Sequence, residues 1–258
     1  MGKVIAIANQ KGGVGKTTTA VNLASALANE KMKVLLIDLD EQANATISLG
    51  FKRELIEKNS FDLLTTQIDI KEAIYSKNKQ LDIIPSSNLL AQIESKIFTP
   101  QKNKALSQKL DSVLDDYNYI ILDCPPSQGI IIDNALYASD SVIIPVECEY
   151  FAFEALTQMV KKIRQVQDVK NLEGKYLTLE GILMTKLDNR NLFGYKIIDQ
   201  VKELFPEKIF KTIISRSSHL QEAPMHGKSV IEFSHSSRGS KEYRQLALEI
   251  IQNTLCEG

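Results

Sequence analysis

Short runs of aliphatic and β-branched residues alternate along this chain with longer stretches whose apolar residues recur at helical spacing. The short runs predict strands at KVIAIA (3–8), KVLLID (33–38), LDIIP (81–85), YIILD (119–123), SVIIPV (141–146) and LEGILMT (179–185). The longer stretches predict helices over 16–29, 88–96, 102–115, 128–138, 151–167 and 194–204. A last amphipathic helix is predicted from Gly239 to about Leu255, with Tyr243, Leu246, Ala247, Ile250 and Ile251 on one side. Strands that are apolar on both faces and separated by helices predict a mostly parallel, twisted sheet with helices on both faces. No repeat, low-complexity tract or linker interrupts the pattern, so a single α/β domain over 1–258 is expected. The polar stretch 51–80 predicts short helices, and Ser215 to Ser240, rich in Ser, His and Gly, predicts surface loops.

Composition narrows the class. The chain has 258 residues, 43% hydrophobic and 24% charged, which is enough to bury a substantial core and ordinary for a globular protein. No run approaches the roughly 18 apolar residues of a membrane span, and no charged-then-apolar leader precedes the first strand. A cytoplasmic protein is the expectation. Met1-Gly2 opens like a myristoylation signal, but Ala6 stands where that signal needs Ser or Thr. Cys124, Cys148 and Cys256 lack metal-ligand spacing and fit a reducing compartment. The net charge of -1 argues against a uniformly basic nucleic-acid binder. The halves differ, however: residues 1–160 carry 15 Lys and Arg against 20 Asp and Glu, and residues 161–258 carry 16 against 12. Either this is chance variation in surface charge, or the C-terminal part builds a basic face.

The first strand runs into NQKGGVGKTT and then into the helical sequence TTTAVNLASALAN. Strand, glycine loop and helix start form the arrangement that cradles phosphate. Gly12, Gly13 and Gly15 let the backbone turn tightly around Val14 and aim its N–H groups, while the helix adds its positive dipole end. Lys16 is placed to bridge terminal phosphates and the Thr17 hydroxyl to ligate Mg²⁺, with Thr18 closing the nucleotide-binding stretch. Counting five residues back from Gly15 reaches Gln10 rather than a glycine, so the loop has the deviant form K-G-G-x-G-K-[ST]. That form carries a second lysine, Lys11.

From Lys3 to the final helix, the sequence resembles the ParA/Soj family of partition ATPases, within the wider deviant-Walker group that includes MinD and nitrogenase iron proteins. The resemblance implies a P-loop NTPase-like fold and slow hydrolysis of ATP with Mg²⁺. It also implies that Lys11 reaches across a dimer interface to the partner subunit's nucleotide. Charge supports this, because two lysines of one chain crowded on one triphosphate would repel each other. A cation supplied in trans, as an arginine finger is, acts only when two subunits meet. An ATP-dependent homodimer is therefore expected.

The second strand ends in DLDEQANAT, where Asp38 and Asp40, two apart on an extended strand end, point the same way. The segment resembles the family's D-x-D-x-Q pattern, with Ala43 where many members carry Gly. The resemblance implies that Asp40 orients or activates the attacking water and that Asp38 supports the magnesium shell or the loop. Asp38 could equally cap the following helix. In YIILDCPPSQG, four apolar residues precede Asp123, which by resemblance holds Mg²⁺ through water or Thr17. Pro125 and Pro126 stiffen the next turn, and Gly129 lets the backbone shift when the γ-phosphate leaves. Cys124 reads as a small packed residue, since no nearby His would activate it.

At the base end, Thr185-Lys186-Leu187-Asp188 looks like the guanine-reading N-K-x-D of GTPases with its first residue wrong; the family resemblance favours ATP. TIISRSSHLQEAPMHGK resembles a family segment that reads T-I-P-R-N and then S-E-A-P-x-H-G-K. Ser215 and Ser217 replace the Pro and Asn expected beside adenine. The resemblance further implies non-specific binding of double-stranded DNA by the paired subunits. Arg190 and Arg238 stand at matching positions, and Lys186, Lys196, Arg216 and Lys241 are candidates to extend the patch. Doubled by symmetry, such cations form a salt-sensitive, phosphate-neutralising strip. Each could equally be a solvated surface charge. No helix-turn-helix is expected ahead of the strand that begins at Lys3. A ParB-type centromere-binding protein is the implied partner that triggers hydrolysis, with the protein on the nucleoid. A MinD-like membrane cycle would need a basic amphipathic tail, and LALEIIQNTLCEG has no Lys or Arg, so no stable membrane association is expected. A ParA-like ATPase positioning another cargo, such as a flagellar or chemotaxis cluster, remains open, as does a metabolic P-loop kinase with its substrate lid in 51–80.

Overall fold

The computed structural model describes residues 2–96, 102–149 and 152–257. Seven strands form one sheet: β1 (Lys3–Ile7), β2 (Val34–Asp38), β3 (Tyr75–Ser76), β4 (Leu81–Ile84), β5 (Tyr119–Asp123), β6 (Ser141–Glu147) and β7 (Thr178–Thr185). Their spatial order is β3-β4-β2-β5-β1-β6-β7. Every pairing is parallel except the edge pair β3 and β4.

Alternation along the strands makes two cores. Val4, Ala6, Leu35, Ile37, Ile120 and Leu122 point to one face, and Ile5, Ile7, Leu36 and Ile121 to the other. On the first face lie α3 (Ser60–Thr65), α4 (Ala105–Leu110), α5 (Ile130–Ala138), α6 (Ala152–Asn171) and α7 (Leu192–Leu204). The second face is covered by α1 (Lys16–Asn29), α9 (Val230–Phe233) and α10 (Arg238–Glu257). Because both faces are covered, the strands read as unbroken apolar runs, and the six predicted strands match within a residue. α1 sits between the sheet and α10 and is buried nearly all round, which its Ala, Thr and Ser permit.

Three expectations need correction. Residues 102–115 do not form one helix: a 3-10 turn at Lys102–Lys104 precedes α4, which stops at Leu110. The chain then folds inward, burying Val113, Leu114 and Tyr117, and the Leu114 carbonyl accepts from Gly2 N–H at 2.7 Å. Residues Asn88–Ser95 wind as a 3-10 helix rather than an α-helix, whose three-residue turn keeps Leu90 and Ile93 on the buried side. The stretch from Ser215 to Ser240 is not all loop: it contains α8 (Ser218–Glu222), a 3-10 turn at Ala223–His226, and α9 with a Ser229–Glu232 capping box. Residues 51–80 hold α3 and two 3-10 turns, as expected, and also β3, which was not. Of the predicted helix 151–167, Phe151 lies outside the described residues.

Candidate nucleotide site

The carboxyl ends of β1, β2 and β5 converge in the middle of the sheet, where parallel α/β proteins bind ligands. β1 leads to α1 on one face and β5 to α5 on the other, so the crevice opens between them.

The loop from β1 to α1 takes left-handed backbone at Gly13 (φ +76°) and Gly15 (φ +93°), where a side chain would be strained. A Cβ at Gly12 or Gly13 would meet nothing within 4 Å, so the loop's concave side is open. No side chain caps the start of α1, which leaves its first N–H groups to a ligand. Two buried residues hold the loop down, Asn9, which the sequence did not single out, and Thr185, which it placed at the base end. Asn9 donates to Pro145 O at 2.7 Å and accepts from Lys11 N–H at 3.0 Å. The Thr185 hydroxyl donates to Val14 O at 2.8 Å.

The two lysines go different ways. Lys16 is buried, and its ammonium donates to Lys11 O at 3.0 Å. Burial lowers its pKa, with the Asp123 and Asp40 carboxylates acting in the opposite direction. The Lys11 ammonium pairs with Glu149, in the loop after β6.

Asp38 and Asp123 are register partners on β2 and β5, both fully buried. Asp38 Oδ2 accepts from both Thr46 N–H and the Thr46 hydroxyl at 2.8 Å, and Oδ1 accepts from Asp40 N–H at 3.2 Å. Thr46 is the third residue of α2 (Asn44–Ser48), so Asp38 satisfies a free donor at that helix start. Of its two proposed roles, these bonds fit the fixing of the switch loop. Burial, partly offset by Thr46, pushes its pKa up to about 6. Asp40 is buried, and its Oδ1 accepts from Gln42 N–H at 2.9 Å, shaping the turn beyond β2.

Neither carboxylate oxygen of Asp123 completes a hydrogen bond of good geometry. Burial first, then the charge of Asp38, raise its pKa well above the usual carboxylate range, and the Thr17 hydroxyl and Lys16 pull it down. A buried carboxylate without a well-formed hydrogen bond is costly and calls for a cation. The site therefore fits Mg²⁺, a hard ion that one carboxylate holds together with phosphate and water oxygens.

Beside the loop, a cavity of about 270 Å³ is lined by Gly15, Thr18, Lys186, Ser215, Ser217 and Tyr243, among others. Ser215 is buried and turns both donors away from the cavity, its N–H to Glu242 Oε2 at 2.9 Å and its hydroxyl to Glu242 Oε1 at 2.8 Å. The Ser217 side chain makes no cap bond to α8. Asp188 does not line the cavity; its carboxylate accepts from Arg190 N–H, Nε and Nη2 at 3.1, 3.2 and 3.2 Å. The aspartate of the guanine-reading pattern is therefore turned elsewhere.

Four of the candidate DNA-contacting residues gather around the turn after β7, each opposite a carboxylate. Lys186, in left-handed backbone at φ +55°, and Arg216 share Glu147 at 3.2 and 3.4 Å. Arg190 meets Asp188, and Arg238 Nε meets Glu242 Oε1 at 2.8 Å. With the Asn189 amide oriented to satisfy both its ends, its oxygen also accepts from Arg238 Nη2 at 3.0 Å. Lys196 and Lys241 are exposed on α7 and α10, outside the ion pairs found among the described residues.

Residues 2–175 match a family described as AAA domain. The sporulation initiation inhibitor protein Soj of Bacillus subtilis is 45% identical, over 98% of this chain and 100% of its own. The chain belongs to the Soj/ParA family. The chromosome partitioning protein ParA of Myxococcus xanthus is 37% identical over 98% of this chain and 89% of its own. Among solved structures, cobyrinic acid a,c-diamide synthase from Mycobacterium smegmatis, with bound ADP and magnesium, superposes with a TM-score of 0.86. Its identity is 28%, covering 100% of this chain and 97% of that one. A plasmid partition protein from Borrelia burgdorferi gives a TM-score of 0.73 at 26% identity, covering 100% and 99%.

Within this Soj/ParA chain, two departures from the family pattern now have local consequences. Ala43, where many members carry Gly, sits in left-handed backbone at φ +52° just before α2. Ser215, in place of Pro, supplies the two donors that Glu242 accepts. The carboxylates Glu147, Glu149 and Glu242 were absent from the sequence-derived set. Only Glu242 left a trace there, as the i+4 partner of Arg238 on one helix.

Proposed function

We propose that this ParA-type partition ATPase binds Mg-ATP in the crevice, closes as a sandwich dimer, holds DNA without sequence preference and releases it after hydrolysis stimulated by a ParB-type protein. The observation that carries the reading is the division of labour between the lysines. Lys16 is buried against its own loop, whereas the Lys11 side chain is 30% exposed and pairs with Glu149 outside that loop. That supports one cation for the subunit's own phosphates and one for a neighbour's.

In this reading the N–H groups of Lys11–Thr18 and the start of α1 bind the phosphates, and Lys16 swings from Lys11 O to the terminal phosphate oxygens. Thr17 and Asp123 would hold magnesium, which supplies charge neutralisation between the β- and γ-phosphates. Asp40 orients the attacking water, and Asp38 fixes the loop that carries Asp40. Loss of the γ-phosphate releases the turn at Pro125–Gly129. The relatives solved with ADP, or with an ATP analogue, and magnesium support these ligands.

For DNA, the reading uses Arg190, Arg238, Lys186 and Arg216, with Lys196 and Lys241 at the margin. Ser217 and the cavity wall take the base. No helix among the described residues is long and apolar enough to cross a membrane. The reading sets the protein in the cytoplasm, on the nucleoid. Steady-state ATPase assays with DNA and with the cognate ParB-type protein, separately and together, test it. Slow basal turnover that rises most with both supports the proposal. Turnover insensitive to both overturns it.

A further inference from the structure

Glu242 lies on α10 between two regions that the proposed function treats separately. Its side chain is only 10% exposed. On one side it accepts both donors of Ser215, at 2.9 and 2.8 Å, and Ser215 lines the cavity beside the phosphate loop. On the other side it accepts from Arg238 Nε at 2.8 Å, one helical turn earlier, and the Arg238 side chain is 58% exposed. The next residue, Tyr243, lines the same cavity and pairs with the Thr19 hydroxyl of α1 at 3.2 Å. Arg238 in turn meets Asn189, the neighbour of Arg190. A single buried carboxylate thus ties the wall of the cavity to the outward guanidinium of Arg238.

We propose that Glu242 is a positioning residue shared by the base end of the nucleotide cavity and the outward guanidinium of Arg238, so that filling the cavity and engaging DNA phosphate set each other's geometry. The inference rests on the reading of Arg238 as a DNA contact. The physical argument is that the carboxylate has few alternatives. It sits in a low-dielectric interior with three donors in place, so a shift of the 212–217 segment onto a base must either carry Glu242 along or break two bonds. A phosphate that draws Arg238 outward acts on the same carboxylate from the other end. Coupling of this kind is reciprocal: the factor by which DNA tightens ATP equals the factor by which ATP tightens DNA. Proline at 215 would offer Glu242 neither donor.

The test is that factor, measured with the full chain, Mg²⁺, a fluorescent ATP analogue and random-sequence duplex DNA. Nucleotide affinity is titrated with and without DNA in the unaltered protein and in Glu242→Gln, Ser215→Pro, Ser215→Thr and Arg238→Glu. In Glu242→Gln the amide nitrogen must oppose a donor whichever way it turns, Ser215 N–H on one side or Arg238 Nε and the Ser215 hydroxyl on the other, and in Ser215→Pro both donors are lost. Each should cut the coupling factor by about fivefold or more, the low end of ordinary allosteric factors. Ser215→Thr, which keeps N–H and hydroxyl, should retain it. Should Glu242→Gln fail to fold, Ser215→Pro decides alone. If Arg238→Glu weakens DNA binding but Glu242→Gln and Ser215→Pro keep the factor, the shared carboxylate is refuted while the DNA face stands. If Arg238→Glu leaves DNA binding unchanged, the DNA face lies elsewhere and the inference falls with it.

Discussion

Asp123→Asn should make the nucleotide-free protein more stable, and increasingly so as pH rises. The carboxylate is fully buried beside Asp38 with no hydrogen bond to either oxygen. A carboxyl group whose folded pKa exceeds its unfolded value binds more protons in the folded state. Stability therefore falls as pH climbs from the unfolded value near 4 to the raised folded value, and stays low above it. Each pH unit by which a folded pKa exceeds the unfolded value removes about 1.4 kcal/mol of stability above it. Asp123 is raised by burial first and then by the charge of Asp38, with the Thr17 hydroxyl and Lys16 pulling it part of the way back. Asparagine mimics the protonated acid and removes that penalty. For a chain of this length each 1.4 kcal/mol is roughly 3–6 °C in Tm. Urea unfolding of both proteins from pH 4 to pH 8 should show a difference near zero at the acid end and growing toward the other. The same substitution should abolish the Mg²⁺-dependent part of stabilisation by ATP, which is about 2.7 kcal/mol at a hundredfold excess over Kd. A difference that stays flat with pH, or an asparagine variant less stable at pH 8, would refute the claim that burial raises this carboxyl group's pKa in the folded protein.

Three further outcomes are expected. Lys16→Ala should weaken nucleotide binding by about 10- to 100-fold in a calorimetric titration, the loss of a charge-assisted phosphate contact. Ala43→Gly should raise stability by up to about 1 kcal/mol in urea unfolding, because it relieves a left-handed alanine at φ +52°. Arg190→Glu or Arg238→Glu should reduce duplex affinity regardless of sequence and lower the salt slope by about one or more per subunit, measured by fluorescence anisotropy in Mg-ATP.

The parts of this protein written locally in the chain were legible from it. Residues 3–29 were read almost without error, because a both-sides-apolar strand, a glycine loop and an Ala-rich helix each carry their own signal. Asp38 and Asp123 end strands whose aliphatic runs are unmistakable, so their meeting in the middle of the sheet follows from topology. Helices of four or five residues, such as α8 and α9, span little more than one turn, too short for a periodicity to show. The overrun at 102–115 came from residues with helical spacing, of which Leu114 turns its carbonyl to a distant partner, Gly2. The ion-pair network was least visible. Glu147 meets Arg216 across 69 positions and Glu149 meets Lys11 across 138, and nothing in either stretch announces the other.

The central claim is that Lys11 serves a neighbour, so that nucleotide occupancy and pairing are one event. Analytical ultracentrifugation of Asp40→Ala, chosen to block hydrolysis, saturated with Mg-ATP, tests it most directly, with the Lys11→Ala, Asp40→Ala double variant alongside. The account predicts a dimer for the first and a nucleotide-bound monomer for the second. A first variant that sediments as a monomer, or a double variant that pairs equally well, would contradict it.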